Sequence, residues 1–356
     1  MQLVQNISKL LLVTALSSGL LFTWYFNNVI APRHVDVATQ GSIFDIDIEL
    51  PSPLITQLTP PTPIAVALDK PVVNAAEPKK PEPKVVQTAS IWKALRSDLK
   101  LDHRVESAQV KKEIRKILAE GDKLGKILQA SGPYIHYIYQ QVQARHLPAE
   151  LALIPVIESE FNPHDFSHKG ATGLWQLMRG TASQLGVKVT SGYDGRKNVV
   201  ASTRAALVYF NDLGKLFKGN WYLAIAAYNS GQGRVLSAMR RTGSQSVWHL
   251  PLPRETQIYV PKLLAVAAIV KNPQKYGVVL PHIDDEPYFA EIKTKKYINL
   301  EKVAKTSGAP LKVLNALNPD YKHGNVVPKN GAYSLLVPLN VLAEVKQFLA
   351  ADIIPH

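Results

Sequence analysis

The stretch that decides the fold is LPAELALIPVIESEF, Leu147–Phe161, closed by Asn162-Pro163. Pro148 suits a first helical position and the Asn-Pro pair stops a helix, so the spacing predicts a helix of about four turns. At about 100° per residue, Leu147, Leu151, Ile154 and Phe161 fall in one arc of roughly 80°, and Glu158 lies inside it. Glu150 and Glu160 fall outside that arc, while Leu153 and Val156 occupy the other side. A helix that is apolar nearly all round is buried, and a carboxylate on its core stripe is costly without a partner or a task. Burial lifts the pKa of such a group and keeps a proton on it near neutrality, as a general acid requires. The same placement fits an ion-paired structural glutamate, so the helix by itself leaves both readings open.

Outward from this helix, polar groups recur at breaks. SHKGATGLWQLM, Ser167–Met178, starts nine residues after Glu158. Its Gly170 and Gly173 permit a tight loop that returns Ser167 and Gln176 over the helix end. WYLAIAAYN, Trp221–Asn229, reads as a helix ended by Ser230-Gly231 and Gly233, which puts Tyr228 and Asn229 at a terminus. In ETQIYVPKL, Glu255–Leu263, Tyr259 follows Glu255 by one helical turn. Taken singly, a terminal Asn reads as a cap, a buried Tyr as core and Gln176 as surface. Long helical runs from Ala89 to about Leu280, broken at Gly132-Pro133, Asn162-Pro163 and Pro251-Leu-Pro253, predict a mainly helical domain.

The flanks differ in kind. Leu10–Phe26, LLLVTALSSGLLFTWYF, is seventeen positions without a charge, preceded by Lys9. Its length lies between a signal-peptide core and a minimal membrane span, which needs about 17–25 residues. No small-x-small cleavage site follows, which favours an uncleaved anchor over a removed signal; either way the chain after Ala31 is expected outside the cytoplasm. Pro51–Lys84 holds nine of the 25 prolines and reads as a semi-rigid spacer. At the other end, Tyr297–Leu300 reads as a short strand, Leu300–Ser307 and Leu311–Leu317 as two short helices, and Tyr333–Val337 as a closing strand. That order is βααβ.

Composition narrows the chemistry. A chain of 356 residues, 46% hydrophobic and 19% charged, has length for about two domains and can bury a core. The absence of cysteine excludes disulfide scaffolds, thiolate metal sites, thiol nucleophiles and a cysteine-linked lipid anchor. The net charge of +13 suits an anionic neighbour: nucleic acid, a membrane surface or an acidic polymer. Nucleic acid is not expected, because no recognition motif is present and the basic residues are spread through linker and helices.

Taken in order, Glu158-Ser159, Gly173-Leu174-Trp175-Gln176, Ala227-Tyr228-Asn229 and Glu255-Thr256-Gln257-Ile258-Tyr259-Val260 resemble the marks of the lytic transglycosylases of goose-lysozyme-like (SLT) fold, which cleave bacterial peptidoglycan. The lead-in IPVIES and the stretch YDGRKNVVAS, Tyr193–Ser202, are most similar to the membrane-bound type D murein enzymes. Two departures stand out: Trp175 replaces the commoner methionine, and the usual lipoprotein cysteine is missing. The resemblance implies a mainly α fold, with a lysozyme-like helical domain followed by a small LysM-like module. It divides the chain into a signal or anchor at 1–31, a Pro-rich linker at 32–88, the SLT domain at 89–285 and a degenerate LysM-like module at 289–345. The usual Gly-Asp-Thr-Leu turn of that module is replaced by Tyr297-Ile-Asn-Leu300, so glycan binding and a structural appendage are both open readings.

By the same resemblance Glu158 is the catalytic acid and then base, and Ser167, Gln176, Tyr228, Asn229 and Tyr259 bind substrate. The implied partners are peptidoglycan strands and, through the N-terminal segment, the membrane; the implied place is the periplasmic side of the cell envelope. No cofactor, metal or named protein partner is implied. Trp175 fits either sugar stacking or the core, and Ser159 either substrate contact or helix packing. Two rival readings are an inverting hydrolase, which needs a second carboxylate about 6.5–9.5 Å away, and a silent peptidoglycan-binding scaffold. Asp194 is the candidate second carboxylate, although it reads better as the cap of a helix over Val199–Leu213.

Overall fold

The helical part is organised around its last long helix. In the computed structural model, α1 (Ile91–Asp98), α2 (Ala108–Ala119), α3 (Lys123–Ala130) and α4 (Ile135–Gln143) precede a 3-10 turn at Ala149–Leu153. Then follow α5 (Ile154–Glu158), α6 (Arg179–Gln184), α7 (Val199–Leu216), α8 (Trp221–Ser230), α9 (Gln232–Thr242) and α10 (Arg254–Lys271). From Tyr259 to Val270 every α10 residue except Lys262 is buried. A helix apolar on all sides must be wrapped by others, and α1, α2, α5 and α8 pack against it. The structure describes residues 89–294, 297–326 and 333–351, within one compact unit that begins at Val86. The run Leu10–Phe26 and the proline-rich stretch lie outside them. Among the described residues no helix is long and apolar enough to cross a membrane.

The segment Leu147–Phe161 departs from the expected four-turn helix. It is a 3-10 turn followed by the five-residue α5, and Glu160 and Phe161 then take left-handed backbone at φ 51° and 58°. Pro155 explains the break, since it has no N–H to continue the ladder begun upstream. The apolar arc is nonetheless buried at Leu151, Ile154 and Phe161. Glu150, outside that arc, is also fully buried: its Oε1 meets His103 Nε2 at 3.0 Å and accepts from the Leu101 backbone N–H at 2.8 Å.

The C-terminal part follows the expected βααβ order and adds to it. Its elements are β1 (Phe289–Thr294), β2 (Ile298–Asn299), α11 (Leu300–Ser307), α12 (Leu311–Leu317), β3 (Asn325–Val326), β4 (Tyr333–Pro338) and α13 (Leu342–Ala351). The closing strand β4 pairs antiparallel with β1, in register Phe289↔Pro338 to Thr294↔Tyr333, whereas β2 pairs with β3. Ile298, Leu300, Val303, Leu314, Leu335, Val337 and Val345 form its own core. Asn299 caps α11 by accepting from Lys302 N–H, and Gly308 ends that helix at φ 73°.

Candidate active site

Glu158 ends α5 on the wall of a cleft of about 940 Å³. Ser167, Gln176, Tyr228, Asn229 and Tyr259 line the same cleft, so the structure brings together every residue singled out for the site. Glu158 is half-buried, with one edge open to the cleft. Loss of water around it pushes its pKa up to about 7, and the charge of Glu255 adds to the rise; the hydrogen bond from Tyr259 and the charge of Lys262 oppose it. Tyr259, carried into place by α10, donates its hydroxyl to Glu158 Oε1 at 2.5 Å. Burial, then the charge of Glu158, raise the Tyr259 phenol well above its ordinary value, so it remains a donor.

The loop over α5 is built by its own backbone. Ser167 Oγ accepts from Ala171 N–H at 3.0 Å, and the Ser167 and Ala171 backbones also bond. At Gly173, with φ +81°, a Cβ would stand 2.1 Å from the carbonyl oxygen of Arg196, so no side chain fits there. Gln176 itself holds φ 45°, and its Nε2 donates to the carbonyls of Gly173 and Asp165. A left-handed non-glycine residue is strained backbone held by its surroundings, as functional loops often are.

Tyr228 and Asn229 are fixed at the C-terminal end of α8. The Tyr228 ring stacks on Phe210 at 4.3 Å, and its hydroxyl donates to the Trp175 carbonyl at 2.7 Å, so it contributes a ring face more than a free hydroxyl. Asn229 Oδ1 accepts from Thr256 Oγ1 at 2.7 Å and its Nδ2 donates to Glu255 at 3.3 Å, which settles the orientation of the amide.

Three open readings are resolved. Trp175 is fully buried and donates its indole N–H to Thr203 Oγ1 at 2.9 Å, so it belongs to the core and does not stack on a ligand. Ser159 is buried and donates to the Leu174 carbonyl at 2.9 Å, which fastens the loop to α5. Asp194 does not cap α7; Asn198 does, accepting from Ala201 N–H at 2.9 Å. Asp194 is instead held by Arg196 in a two-pronged pair at 2.9 and 2.7 Å, outside the cleft lining. Although burial opposes it, the Arg196 bonds keep the Asp194 carboxyl below its ordinary value.

The sequence reading missed the cleft's charged rim. His168, Lys169, Arg234 and Lys262 line it, as do Asp165 and Glu255. Lys169 reaches Glu255 at 3.5 Å. Met178 adds apolar surface, 45% exposed. Glu255 and Thr256 stood in a quoted motif, yet only the fold shows that both grip Asn229.

Comparison with known proteins finds two family matches along the chain. The family described as Transglycosylase SLT domain matches residues 136–251, and the one described as Lytic transglycosylase MltD, LysM-like domain, matches residues 288–352. Residues 136–251 thus carry a transglycosylase SLT domain, followed at 288–352 by a module of the MltD LysM-like family. It is 36% identical over 271 residues to the Escherichia coli strain K12 membrane-bound lytic murein transglycosylase D, covering 75% of this chain and 60% of that protein. It is 42% identical over 161 residues to a putative tributyltin chloride resistance protein of Alteromonas sp. strain M-1, covering 44% of this chain and 76% of that one. The crystal structure of the 70 kDa soluble lytic transglycosylase from Escherichia coli aligns with 40% of this chain and 24% of its own, at 26% identity and TM-score 0.35. The chain thus spans about 60% of the first relative's length.

Proposed function

We propose that this chain is a peptidoglycan lytic transglycosylase that cuts the β-1,4 bond between N-acetylmuramic acid and N-acetylglucosamine. The observation that carries the reading is Glu158 itself: a carboxyl with pKa about 7, held by Tyr259, at the wall of a cleft of about 940 Å³. At neutral pH a large share of Glu158 carries the proton that the glycosidic oxygen needs as the bond breaks. Most glycosidases employ a second carboxylate as nucleophile or base; the candidate Asp194 is committed to Arg196 outside the cleft lining, and the transglycosylase reading gives both proton transfers to Glu158. The substrate's own acetamido group supports the charge developing at C1. The carboxylate left on Glu158 then takes the proton of the muramyl C6 hydroxyl, whose oxygen closes on C1. The product is a 1,6-anhydro sugar, and no water is consumed.

Ser167 and the Gln176 side chain are suited to hold the acetamido and sugar groups, Asn229 a sugar hydroxyl, and the Tyr228 ring the sugar's apolar edge. Lys169, Arg234 and Lys262 suit carboxylates on the peptide stems. The domain limits 89–285 and 289–345, and residence on the periplasmic side of the cell envelope with an N-terminal anchor at Leu10–Phe26, belong to the same proposal. Digestion of purified peptidoglycan with mass analysis tests it. Anhydromuramyl ends are the expected product; reducing ends, which require uptake of water, would replace it with a hydrolase, and no release at all with a binding scaffold.

A further inference from the structure

The C-terminal module is joined to the helical domain by a buried seam that ends at the cleft loop. On the module side, Asn318 is locked into its sheet: its side chain donates to the Leu336 carbonyl and accepts from Leu336 N–H, both at 2.8 Å. The chain that follows lies antiparallel to Gly192–Asp194. Asp194 N–H donates to the Asp320 carbonyl at 2.9 Å, Lys322 N–H donates to the Gly192 carbonyl at 3.1 Å, and the Tyr193 and Tyr321 rings sit 5.3 Å apart. Asn198 Nδ2 donates to Asp320 Oδ2 at 2.9 Å, and the Tyr193 phenol bonds the same carboxyl. Asn318, Asp320 and Tyr321 are all buried, so this face of the module is not open to a glycan.

On the far side of the same loop stands Arg196, itself buried. Two of its nitrogens grip Asp194, and the third donates to the carbonyls of Gly170 at 2.7 Å and Leu177 at 3.3 Å. Those carbonyls bracket the turn that sets Gln176, and Gly170 N–H donates to the carbonyl of Ser167. The Arg196 backbone is also the surface against which Gly173 packs. A continuous set of hydrogen bonds, buried or part-buried, therefore runs from the module, through Asp320, Asp194 and Arg196, to the loop that presents Ser167 and Gln176 to the cleft.

We propose that the C-terminal module is a positioning element of the active site, in which Asp320 and Tyr321 brace the Gly192–Asn198 loop and, through Arg196, set the loop that presents Ser167 and Gln176. A site held from behind by locked side chains keeps its geometry, and displacement of about 1 Å can slow a reaction about 10²-fold. The proposal rests on the transglycosylase reading only for what the loop does to substrate; the brace itself is independent of it.

The test compares the full chain with its Asp320→Ala, Asp320→Asn and Tyr193→Ala variants. Two quantities are read: hydrogen exchange of the Gly170, Gly173 and Leu177 amides against those of α10, and kcat and KM on solubilised peptidoglycan. Asp320→Ala is expected to speed exchange in the loop about tenfold while α10 keeps its protection, because only the local opening becomes easier. It should lower kcat about tenfold with KM nearly constant, since loop geometry at the reacting bond is disturbed. Asp320→Asn keeps an acceptor for Asn198 and should restore both readings. If Asp320→Ala does not fold, Tyr193→Ala, which removes a ring and a phenol from the outer side of the seam, should give the same pattern. Unchanged loop exchange, or unchanged kcat in a loosened loop, would overturn the brace. Failure of the wild-type chain to form anhydro ends would overturn the transglycosylase reading and leave the exchange experiment to decide the brace.

Discussion

Glu158 and Asp320 are both acids pushed up to about 7 by loss of water, and each has a second carboxyl nearby that adds to the rise: Glu255 for Glu158, Asp194 for Asp320. Their surroundings differ in access. Glu158 has one edge on a cleft of about 940 Å³. Asp320 is 1% exposed, sealed between the module and the Gly192–Asn198 loop, with Oδ1 lacking any hydrogen-bond partner among the described residues. A raised pKa thus marks burial, and burial alone does not distinguish a working acid from a joint. What distinguishes them is a path for substrate to the proton.

The sharpest way to break this comparison is to remove each proton in turn. Glu158→Gln should lower the rate of release from peptidoglycan by about 10²–10⁴-fold, the range typical of a lost general acid. Sedimentation with peptidoglycan should survive, because the amide keeps the shape of the cleft wall. Asp320→Asn should keep most of the activity. Equal losses in the two variants would erase the difference between acid and joint.

Tyr259→Phe has the next largest effect. The phenol stabilises the charged form of Glu158, so its loss should raise the Glu158 pKa above about 7. The alkaline limb of kcat/KM, where the acid loses its proton, should then move to higher pH. The maximal rate should fall about tenfold, in keeping with one lost hydrogen bond to a charged group. A limb that moves to lower pH would contradict the role given to the phenol.

Much of this site was legible in the sequence because its residues fall in short contiguous motifs. Glu158-Ser159, Tyr228-Asn229 and Tyr259 each lie at a helix end or about one turn inside it, where local signals are strong, and Gln176 lies in a turn opened by Gly173. The contact that completes the acid was not legible, since Tyr259 and Glu158 are 101 residues apart in the chain. Asp194 and Asn198 show a finer limit. Both are good capping residues, but the helix starts at Val199, so the cap falls to the adjoining Asn198, and Asp194, four residues before it, pairs with Arg196. The seam was invisible for a similar reason: Asp320 reads as a loop acid, and its partner Asn198 is 122 residues distant. In the fold, the break at Pro155 divided the segment that Pro148 and Asn162-Pro163 had bounded as one helix. Strand β1 escaped because the two charged residues that flank Ile292 weaken an already short apolar pattern.

Stability offers a subtler separation. Glu158 and Asp320 bind their protons more tightly when folded than when unfolded, so each makes the wild-type chain less stable as pH rises from about 4 to about 7, and no further change follows above that. Replacing either by its amide removes that loss. Both Glu158→Gln and Asp320→Asn should therefore gain stability relative to wild type between about pH 4 and about pH 8, by up to about 3–4 kcal/mol. Thermal melts at the two pH values check the sign. Here the two acids should agree, although they part company in activity.

The smallest effect isolates charge from burial. Burial is the leading cause of the raised Glu158 pKa and Glu255 the lesser one. Glu255 is exposed and also answers to Lys169 at 3.5 Å, so solvent and that ammonium weaken its influence. Glu255→Gln should therefore move the alkaline limb of kcat/KM to lower pH by only about 0.5 pH unit, as expected for a charge screened by water. The amide can still accept from Asn229, so the orientation of that side chain is retained. A displacement much larger than this would make Glu255 the main source of the proton affinity. Glu158 would then depend on a charged neighbour more than on its enclosure, and the likeness to Asp320 would be lost.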